Sequence, residues 1–292
     1  MLASFFWDQL DSPHVIPPWK SKASPMSYAD VSVKQPSFGQ TMRRDAWWVQ
    51  PGLVLLGLSA FIAYSTWAAF QGQYYHSGPY LSPFYSPEIF GESVHSWFGP
   101  KPGWWPPWLL WSPALLILWA PGGFRFTCYY YRGAYYKSFW GDPPACTVGE
   151  PRKQYRGEHS FPLILQNVHR YFLYVALLFL LVLAHDVWKA MWFVAPGAVQ
   201  ASFGIGIGTL VLAVNVILLG GYTLGCHSLR HLVGGFGDQM SRASLCQKSY
   251  SCVSCLNRRH MVWAWMSLFW VGFSDLYVRL CAMGVWTDWR IL

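Results

Sequence analysis

Five long apolar segments limit what this chain can fold into more than any other feature. A helix needs about 20 predominantly apolar residues to cross the hydrocarbon core of a bilayer. Segments that approach or exceed this length lie at residues 47–70, 104–121, 171–195, 201–226 and 261–286. The sequence therefore predicts an all-α integral membrane protein, a bundle of five transmembrane helices. We expect residues 46–292 to form this bundle and residues 1–45 to form an N-terminal extension.

The second segment is the weakest of the five as a transmembrane helix. It is short and contains Pro106, Pro107 and Pro113, and proline in a helix interior removes a hydrogen bond and clashes with the preceding turn. An interfacial or re-entrant segment is the alternative. We nonetheless expect this segment to cross the membrane, because without it the basic residues would no longer lie mainly on one side.

Composition supports a membrane protein and excludes other classes. Only 12% of the 292 residues are charged, about half of the roughly 25% that is usual in soluble domains. Trp and Tyr, with 19 and 17 residues, are enriched where helices cross the headgroup region. These values argue against a soluble enzyme and a disordered chain, and the basic residues form no stripe typical of nucleic-acid binding. The start does not resemble a signal peptide, because it lacks a basic region and Asp8 and Asp11 interrupt its apolar stretch.

The distribution of Lys and Arg predicts how the chain is oriented. Of the 21 basic residues, 17 lie in three segments that share one side of a five-span arrangement: 1–46, 122–170 and 227–259. The positive-inside rule places that side in the cytoplasm. We therefore expect a cytoplasmic N-terminus and an outside C-terminus.

The predicted cytoplasmic loop between the fourth and fifth spans is rich in side chains that bind metals. If the fourth helix continues to residue 231, His227 and His231 share one face and can bind one metal ion. Cys252 and Cys255 form a CxxC pair, and clustered thiols in a reducing compartment more often bind metal or do redox chemistry than form disulfides. Two Cys and two His suit either tetrahedral zinc or a Rieske-type [2Fe–2S] cluster. The spacing does not separate these two sites.

Other ligand sets stay open in the same region. Cys226 and Cys246 are reserve ligands, and a set of Cys226, His231, Cys252 and Cys255 also fits the spacing. The alternative to any metal site is a small polar loop with incidental thiols.

A haem is less favoured than a metal site in this loop. A haem between transmembrane helices would need two His at one depth on different spans, and the fourth and fifth spans contain no mid-membrane His. His169, His227, His231 and His260 could still pair near the predicted cytoplasmic surface. One haem b at that surface therefore remains an alternative.

Ionisable residues within two predicted spans are functional candidates. Asp275 and Arg279 lie four residues apart on the fifth span, and His185, Asp186 and Lys189 lie near the far end of the third. Neutralising pairs that fix the helix register are about as plausible as a proton or quinone site.

Four longer motifs carry a resemblance to a known family. They are FRFTCYYYRGAYYKSFWGDPPAC at 124–146, FPLILQNVHRYFLY at 161–174, HDVWKAMWF at 185–193 and GCHSLRHLVGG at 225–235. Together they resemble the membrane-anchor subunit of an actinobacterial-type succinate dehydrogenase, and the resemblance covers most of residues 45–292. It implies a single-chain anchor with five transmembrane helices in the plasma membrane of a bacterium, with a Rieske-like [2Fe–2S] cluster near the membrane rather than haem.

The resemblance also implies partners and a second ligand. Such an anchor docks an iron–sulfur subunit and a flavoprotein subunit, binds a quinone (menaquinone or ubiquinone), and can belong to a higher oligomer of the complex. We expect the quinone near the predicted cytoplasmic surface, where the third and fifth spans begin. The expected quinone-binding residues are His169, Arg170, Tyr171, Arg259, His260 and Trp263. Lipid-headgroup anchoring is the alternative role for Arg170 and Arg259.

The predicted cytoplasmic loops contain many large aromatic side chains. Exposed aromatics near Arg132 and Lys137, among them Tyr129, Phe139 and Trp140, predict a protein interface.

The rival function is a membrane protein with a structural zinc loop and no redox role, such as a transporter or an assembly factor.

Overall fold

Eight α-helices make up most of the part of the chain that the computed structural model describes. That part comprises residues 36–151, 161, 163–194, 200–235 and 244–292, so the predicted N-terminal extension lies largely outside it. The helices belong to one compact unit, Pro36–Leu292. They are α1 Val49–Gln71, α2 Trp119–Thr127, α3 Tyr129–Tyr135, α4 His169–Lys189, α5 Ile207–Leu224, α6 His227–Gly234, α7 Ser244–Asn257 and α8 His260–Ala282.

Short elements connect the helices. Two small antiparallel hairpins pair β1 (His76–Ser77) with β2 (Tyr80–Leu81) and β3 (Trp192–Val194) with β4 (Ala201–Phe203). Two 3₁₀ turns, Pro113–Leu116 and Leu163–Val168, precede α2 and α4, and a π turn, Tyr136–Trp140, follows α3. The β3–β4 hairpin occupies positions expected to be helical, so the third and fourth spans are shorter than predicted.

Four of the described helices are long and apolar enough to cross a membrane. They are α1, α4 together with its preceding turn (Ile164–Lys189), α5 and α8. The shortest, α5, has 18 residues, which is about 27 Å at roughly 1.5 Å per residue. A mostly helical, multi-pass membrane protein is thus what the fold supports.

The segment 104–121, predicted as the second span, is not a continuous helix. Its first half forms turns, and regular structure begins only with the 3₁₀ turn at Pro113 and with α2 at Trp119. The prolines explain this difference, since each lacks the N–H group that an extended helix would need. The number of five transmembrane helices is therefore not confirmed.

The chain nevertheless passes between the two ends of the bundle in this region. We name these ends after α8, as the His260 end and the Arg279 end. Ser112 Oγ lies 3.4 Å from Tyr85 Oη near the Arg279 end, whereas Cys128 Sγ lies 3.6 Å from His260 Nε2 at the other. The chain therefore passes from one end of the bundle to the other between Ser112 and Cys128. This connection is shorter than the predicted span and lies closer to the C-terminus.

Helices α5 and α8 pack closely along the centre of the bundle. A Cβ atom on Gly221 of α5 would lie 2.6 Å from the Trp263 ring of α8, which explains why glycine is required there. Trp270 of α8 donates a hydrogen bond from Nε1 to the carbonyl of Val211, at 3.0 Å. Small residues on α5 therefore allow close helix packing, as expected for membrane helices.

A buried ion pair lies on α8 at the Arg279 end of the bundle. Arg279 Nε lies 2.8 Å from Asp275 Oδ2, and both side chains are fully buried. Tyr64 donates a hydrogen bond to the same carboxylate at 2.7 Å, and Arg279 donates to the carbonyls of Gln73 and Ala68. The neutralising pair expected from the i, i+4 spacing is present, and it joins α8 to α1 and the following loop.

Candidate functional site

Two cysteines occupy equivalent positions at the His260 end of the bundle. Cys128 precedes α3 and Cys226 precedes α6, and both have the extended backbone that ends one helix and starts the next (φ −63°, ψ 131° and φ −65°, ψ 139°). In each case the residue four positions later, Arg132 or Arg230, donates its backbone N–H to the cysteine carbonyl. Both thiols are buried.

Close packing determines where Cys226 lies. A Cβ atom on the preceding Gly225 would lie 2.6 Å from the Gly221 carbonyl and 3.2 Å from Leu256, so only glycine fits between α5 and α7. Burial raises the pKa of the Cys226 thiol to about 11, and the N–H groups of Ser228 and Leu229 oppose this rise. The thiolate is the reactive form of cysteine, so this buried thiol is a poor free nucleophile, although a coordinated metal ion would still deprotonate it.

Two histidines meet these cysteines. His169 begins α4 and His260 begins α8. His169 Nε2 lies 3.1 Å from Cys226 Sγ, and His260 Nε2 lies 3.6 Å from Cys128 Sγ. The four side chains come from four separate helix starts, and we name them the Cys–His site.

Aromatic rings enclose the Cys–His site. Phe124 stacks on His169 with ring centroids 4.7 Å apart, and Tyr222 stacks on His260 at 5.0 Å. Phe124 and Tyr222 also contact each other edge to face. The rings shield both imidazoles from solvent on one side.

The two imidazoles differ in their second nitrogen. His169 Nδ1 lies 2.8 Å from Thr127 Oγ1, a contact that orients the ring. His260 Nδ1 is buried and, within the described residues, has no hydrogen-bond partner. A hydrogen-bond partner at the second nitrogen usually fixes the tautomer of a ligating histidine. Thr127 can fix the tautomer of His169 in this way, whereas Nδ1 of His260 lacks such a partner among the described residues.

The donor set of the Cys–His site consists of ligand types that are found in iron–sulfur clusters. In the described part of the chain, no three His, Cys, Asp or Glu side chains converge closely enough to hold one metal ion. The Cys–His site instead consists of two thiol–imidazole contacts, and the two thiols and the two imidazoles also interact electrostatically with each other. Two thiolates and two imidazoles are the ligands of a Rieske-type [2Fe–2S] cluster.

The metal ligands predicted in the loop are only partly brought together. His227 and His231 share a face of α6 with their Nε2 atoms 2.9 Å apart, as expected from the spacing. Cys252 and Cys255 lie exposed on α7, and no described contact joins either to the histidines. Cys246 donates to the carbonyl of Val233. The loop ligand set stays a prediction.

The predicted quinone residues fall into two groups. His169 and His260 belong to the Cys–His site, whereas Arg170, Tyr171 and Arg259 are exposed. The sixth residue, Trp263, packs on Gly221, and its Nε1 is buried without a partner among the described residues. The six positions stay a prediction as a quinone site.

Two cavities lie near the Cys–His site, and none of the six predicted quinone residues lines either. One of about 380 Å³ is mainly apolar and is bounded by α1, α2, α4, α5 and α8, with Phe124, Arg125 and Tyr222 at its end near the Cys–His site. The other, of about 890 Å³, lies beside α3 and is lined by Tyr130, Arg132 and charged residues. The apolar cavity shares two walls with the Cys–His site.

The sequence contains a signal for this site that is separate from the CxxC and HxxxH spacings. Cys128 and Cys226 each start a Cys-x-x-x-Arg pattern, and each is followed 30 to 45 residues later by the His that opens an apolar helix. The CxxC and HxxxH spacings are the more familiar metal-binding signals and point to the loop instead. The sequence predicts His169 and His260 only as quinone or haem residues.

The chain has relatives among known proteins. A structure of the Mycobacterium smegmatis Sdh1 complex in the apo form contains a similar chain, with 43% sequence identity and a TM-score of 0.78. The similarity covers 86% of this chain and 94% of that chain. No protein with a curated description matches. The sequence model of the family described as actinobacterial succinate dehydrogenase subunit SdhC matches residues 49–284, a range that includes the whole Cys–His site, and the chain therefore belongs to this family of succinate dehydrogenase membrane anchors.

Proposed function

We propose that this anchor binds a Rieske-like [2Fe–2S] cluster at the Cys–His site and takes part in electron transfer to a quinone. The observation that carries the proposal is the meeting of two buried thiols with two imidazoles from four helix starts. When bound, such a cluster supplies one-electron redox chemistry, and its imidazole ligands raise its potential above that of an all-Cys cluster.

Neighbouring side chains of the chain support this role. Thr127 orients His169 through Nδ1, and Phe124 and Tyr222 keep water away from the imidazole rings. The buried Nδ1 of His260 has no hydrogen-bond partner among the described residues, so it is an atom at which the site can hold a proton.

The apolar cavity of about 380 Å³ is the site we propose for the quinone. It lies against the Cys–His site through Phe124 and Tyr222, and its remaining walls are mostly apolar residues of the membrane helices. Ligand pockets combine such apolar walls with a few polar groups that fix orientation. Arg125 and Tyr222 supply the polar groups here.

We propose that the other subunits of succinate dehydrogenase bind at the His260 end. Exposed aromatic residues cluster there around α3, including Tyr129, Phe139 and Trp140, next to the exposed Lys137. Exposed apolar patches of this kind mark protein or membrane contacts. The match to a chain of the Mycobacterium smegmatis Sdh1 complex supports other subunits as partners, and we propose that these are an iron–sulfur subunit and a flavoprotein subunit.

Cysteine variants test the proposed cluster and distinguish it from the loop set. We expect Cys128→Ser and Cys226→Ser, in the purified complex, to lose the bound iron and the EPR signal of the dithionite-reduced cluster. Cys252→Ser and Cys255→Ser serve as matched controls, because both are exposed on α7, and should retain both properties.

Each result has a definite meaning. Loss of signal in Cys252→Ser with retention in Cys128→Ser would favour the loop set, for which the contact between His227 and His231 is the supporting observation. A colourless complex with one zinc per anchor chain would favour the structural zinc site. A positive pyridine haemochrome assay would favour haem b.

A further inference from the structure

Arg125 of α2 lies next to the Cys–His site, and it is held there firmly. Its guanidinium donates to Tyr131 Oη at 2.7 Å, to Ser267 Oγ at 3.0 Å and to the Ala264 carbonyl at 3.3 Å. It also lies over the Tyr222 ring, 4.7 Å from the centroid. Neutral groups on α3, α5 and α8 therefore surround this cation.

The charge of Arg125 has no carboxylate partner within the described residues. The ion pairs there join Arg43 to Asp45 and Arg279 to Asp275. Hydrogen bonds to two hydroxyls and a carbonyl hold the guanidinium of Arg125 in place, but they do not neutralise its charge. A partly buried cation in this position favours any nearby group that gains negative charge.

Tyr222 connects Arg125 to the Cys–His site. One face of its ring contacts the guanidinium, and its ring also stacks on His260 with centroids 5.0 Å apart. Together these contacts keep the guanidinium carbon within about 10 Å of the His260 ring, comparable to the Debye length of about 10 Å at 0.1 M salt. Because the intervening space is filled by an aromatic ring rather than by salt solution, screening is weaker than in water.

We propose that Arg125 stabilises the reduced state of the Cys–His site electrostatically and thereby raises its reduction potential. The inference rests on the proposed cluster. With two thiolates and two neutral imidazoles, the oxidised site has no net charge, and uptake of one electron makes it negative by one. Net charge is one of the factors that set such potentials, and Arg125 favours the negative form. Arg125 thus acts on the site through its charge and does not ligate the cluster.

A redox titration followed by EPR tests this role in the purified complex, with dithionite as the reductant. We expect Arg125→Gln to lower the midpoint potential by an amount equal to about a tenfold change in the equilibrium constant, which is about 59 mV for one electron. Arg125→Lys keeps the charge and should retain most of the potential. Lys248→Gln removes an exposed charge on α7, outside the proposed docking surface, and should leave the midpoint unchanged.

A second variant neutralises the charge without removing the guanidinium. Ser267 contacts Arg125 directly, so Ser267→Asp would pair with it and should lower the midpoint as Arg125→Gln does. An intact EPR signal at an unchanged midpoint in Arg125→Gln, or in Ser267→Asp if the first variant does not assemble, would overturn the inference. Absence of any EPR signal in the unaltered complex would instead refute the proposed cluster itself.

Discussion

Two arginines show how single residues carry charge inside this bundle. Arg279 is fully buried and paired with Asp275, so its role is to join α8 to α1. Arg125 is surrounded by hydroxyls, a carbonyl and aromatic rings, and no carboxylate of the described residues pairs with it. The paired arginine supports the fold, whereas the unpaired one can act on the charge of its surroundings.

Asp275→Asn should destabilise the protein strongly. The variant preserves shape but leaves Arg279 without its counter-ion, and breaking a buried pair typically costs about 3–5 kcal/mol. Thermal unfolding of the complex in detergent measures the effect as a Tm lower by several degrees. Ser274→Ala is the matched control, because Ser274 is equally buried but bonds only within its own helix. Equal Tm values for the two variants would contradict the structural role of the pair.

At the scale of elements, the sequence predicted the long helices well and the contacts between them poorly. Charge-free apolar runs are a local property, so α1, α4, α5 and α8 could be found directly. The second crossing could not be placed, because prolines divide it into a 3₁₀ turn and a nine-residue helix. The Cys–His site could not be assembled from the sequence, because the Cys-x-x-x-Arg repeats do not indicate which distant histidine, such as His260 for Cys128, each thiol meets.

The cavity between these elements yields a prediction for quinone reduction. Leu219 of α5 lines the apolar cavity, and Leu219→Trp should fill part of it and lower quinone reduction at least tenfold. Electron transfer from succinate to a soluble dye should stay within twofold of the unaltered complex, since the dye bypasses the cavity. Both rates are measured on the purified complex.

A control variant on the same helix separates this effect from general damage. Ile217→Trp adds the same ring on an exposed face of α5, so both rates should be retained. If Leu219→Trp reduces quinone normally while Arg259→Gln does not, the quinone binds at the predicted surface residues instead.

At the scale of the whole molecule, the two ends of the bundle have different roles. The Arg279 end is stabilised by the buried ion pair and two small hairpins, and the His260 end contains the Cys–His site and the exposed aromatics around α3. The distribution of basic residues predicts that the His260 end faces the cytoplasm. That orientation stays a prediction, and it agrees with docking of the other subunits at this end.

The docking surface is testable by co-purification. Substituting Phe139 and Trp140 by Ser should reduce the flavoprotein and iron–sulfur subunits recovered with a tagged anchor by at least fivefold, measured by quantitative gel analysis. Phe98→Ser changes an exposed aromatic in the loop between β2 and α2 and should not affect recovery. Normal recovery with the double variant would exclude these aromatics as the docking surface.

The origin of the four Cys–His side chains has a consequence for how the subunit matures. Each comes from a different helix start, so the proposed cluster would tie four helix starts together at a single point. Binding energy of this kind becomes folding energy. Iron supply would then affect the lifetime of the anchor in the cell, because a chain made under iron starvation would lack this added stabilisation at the surface where its partners assemble.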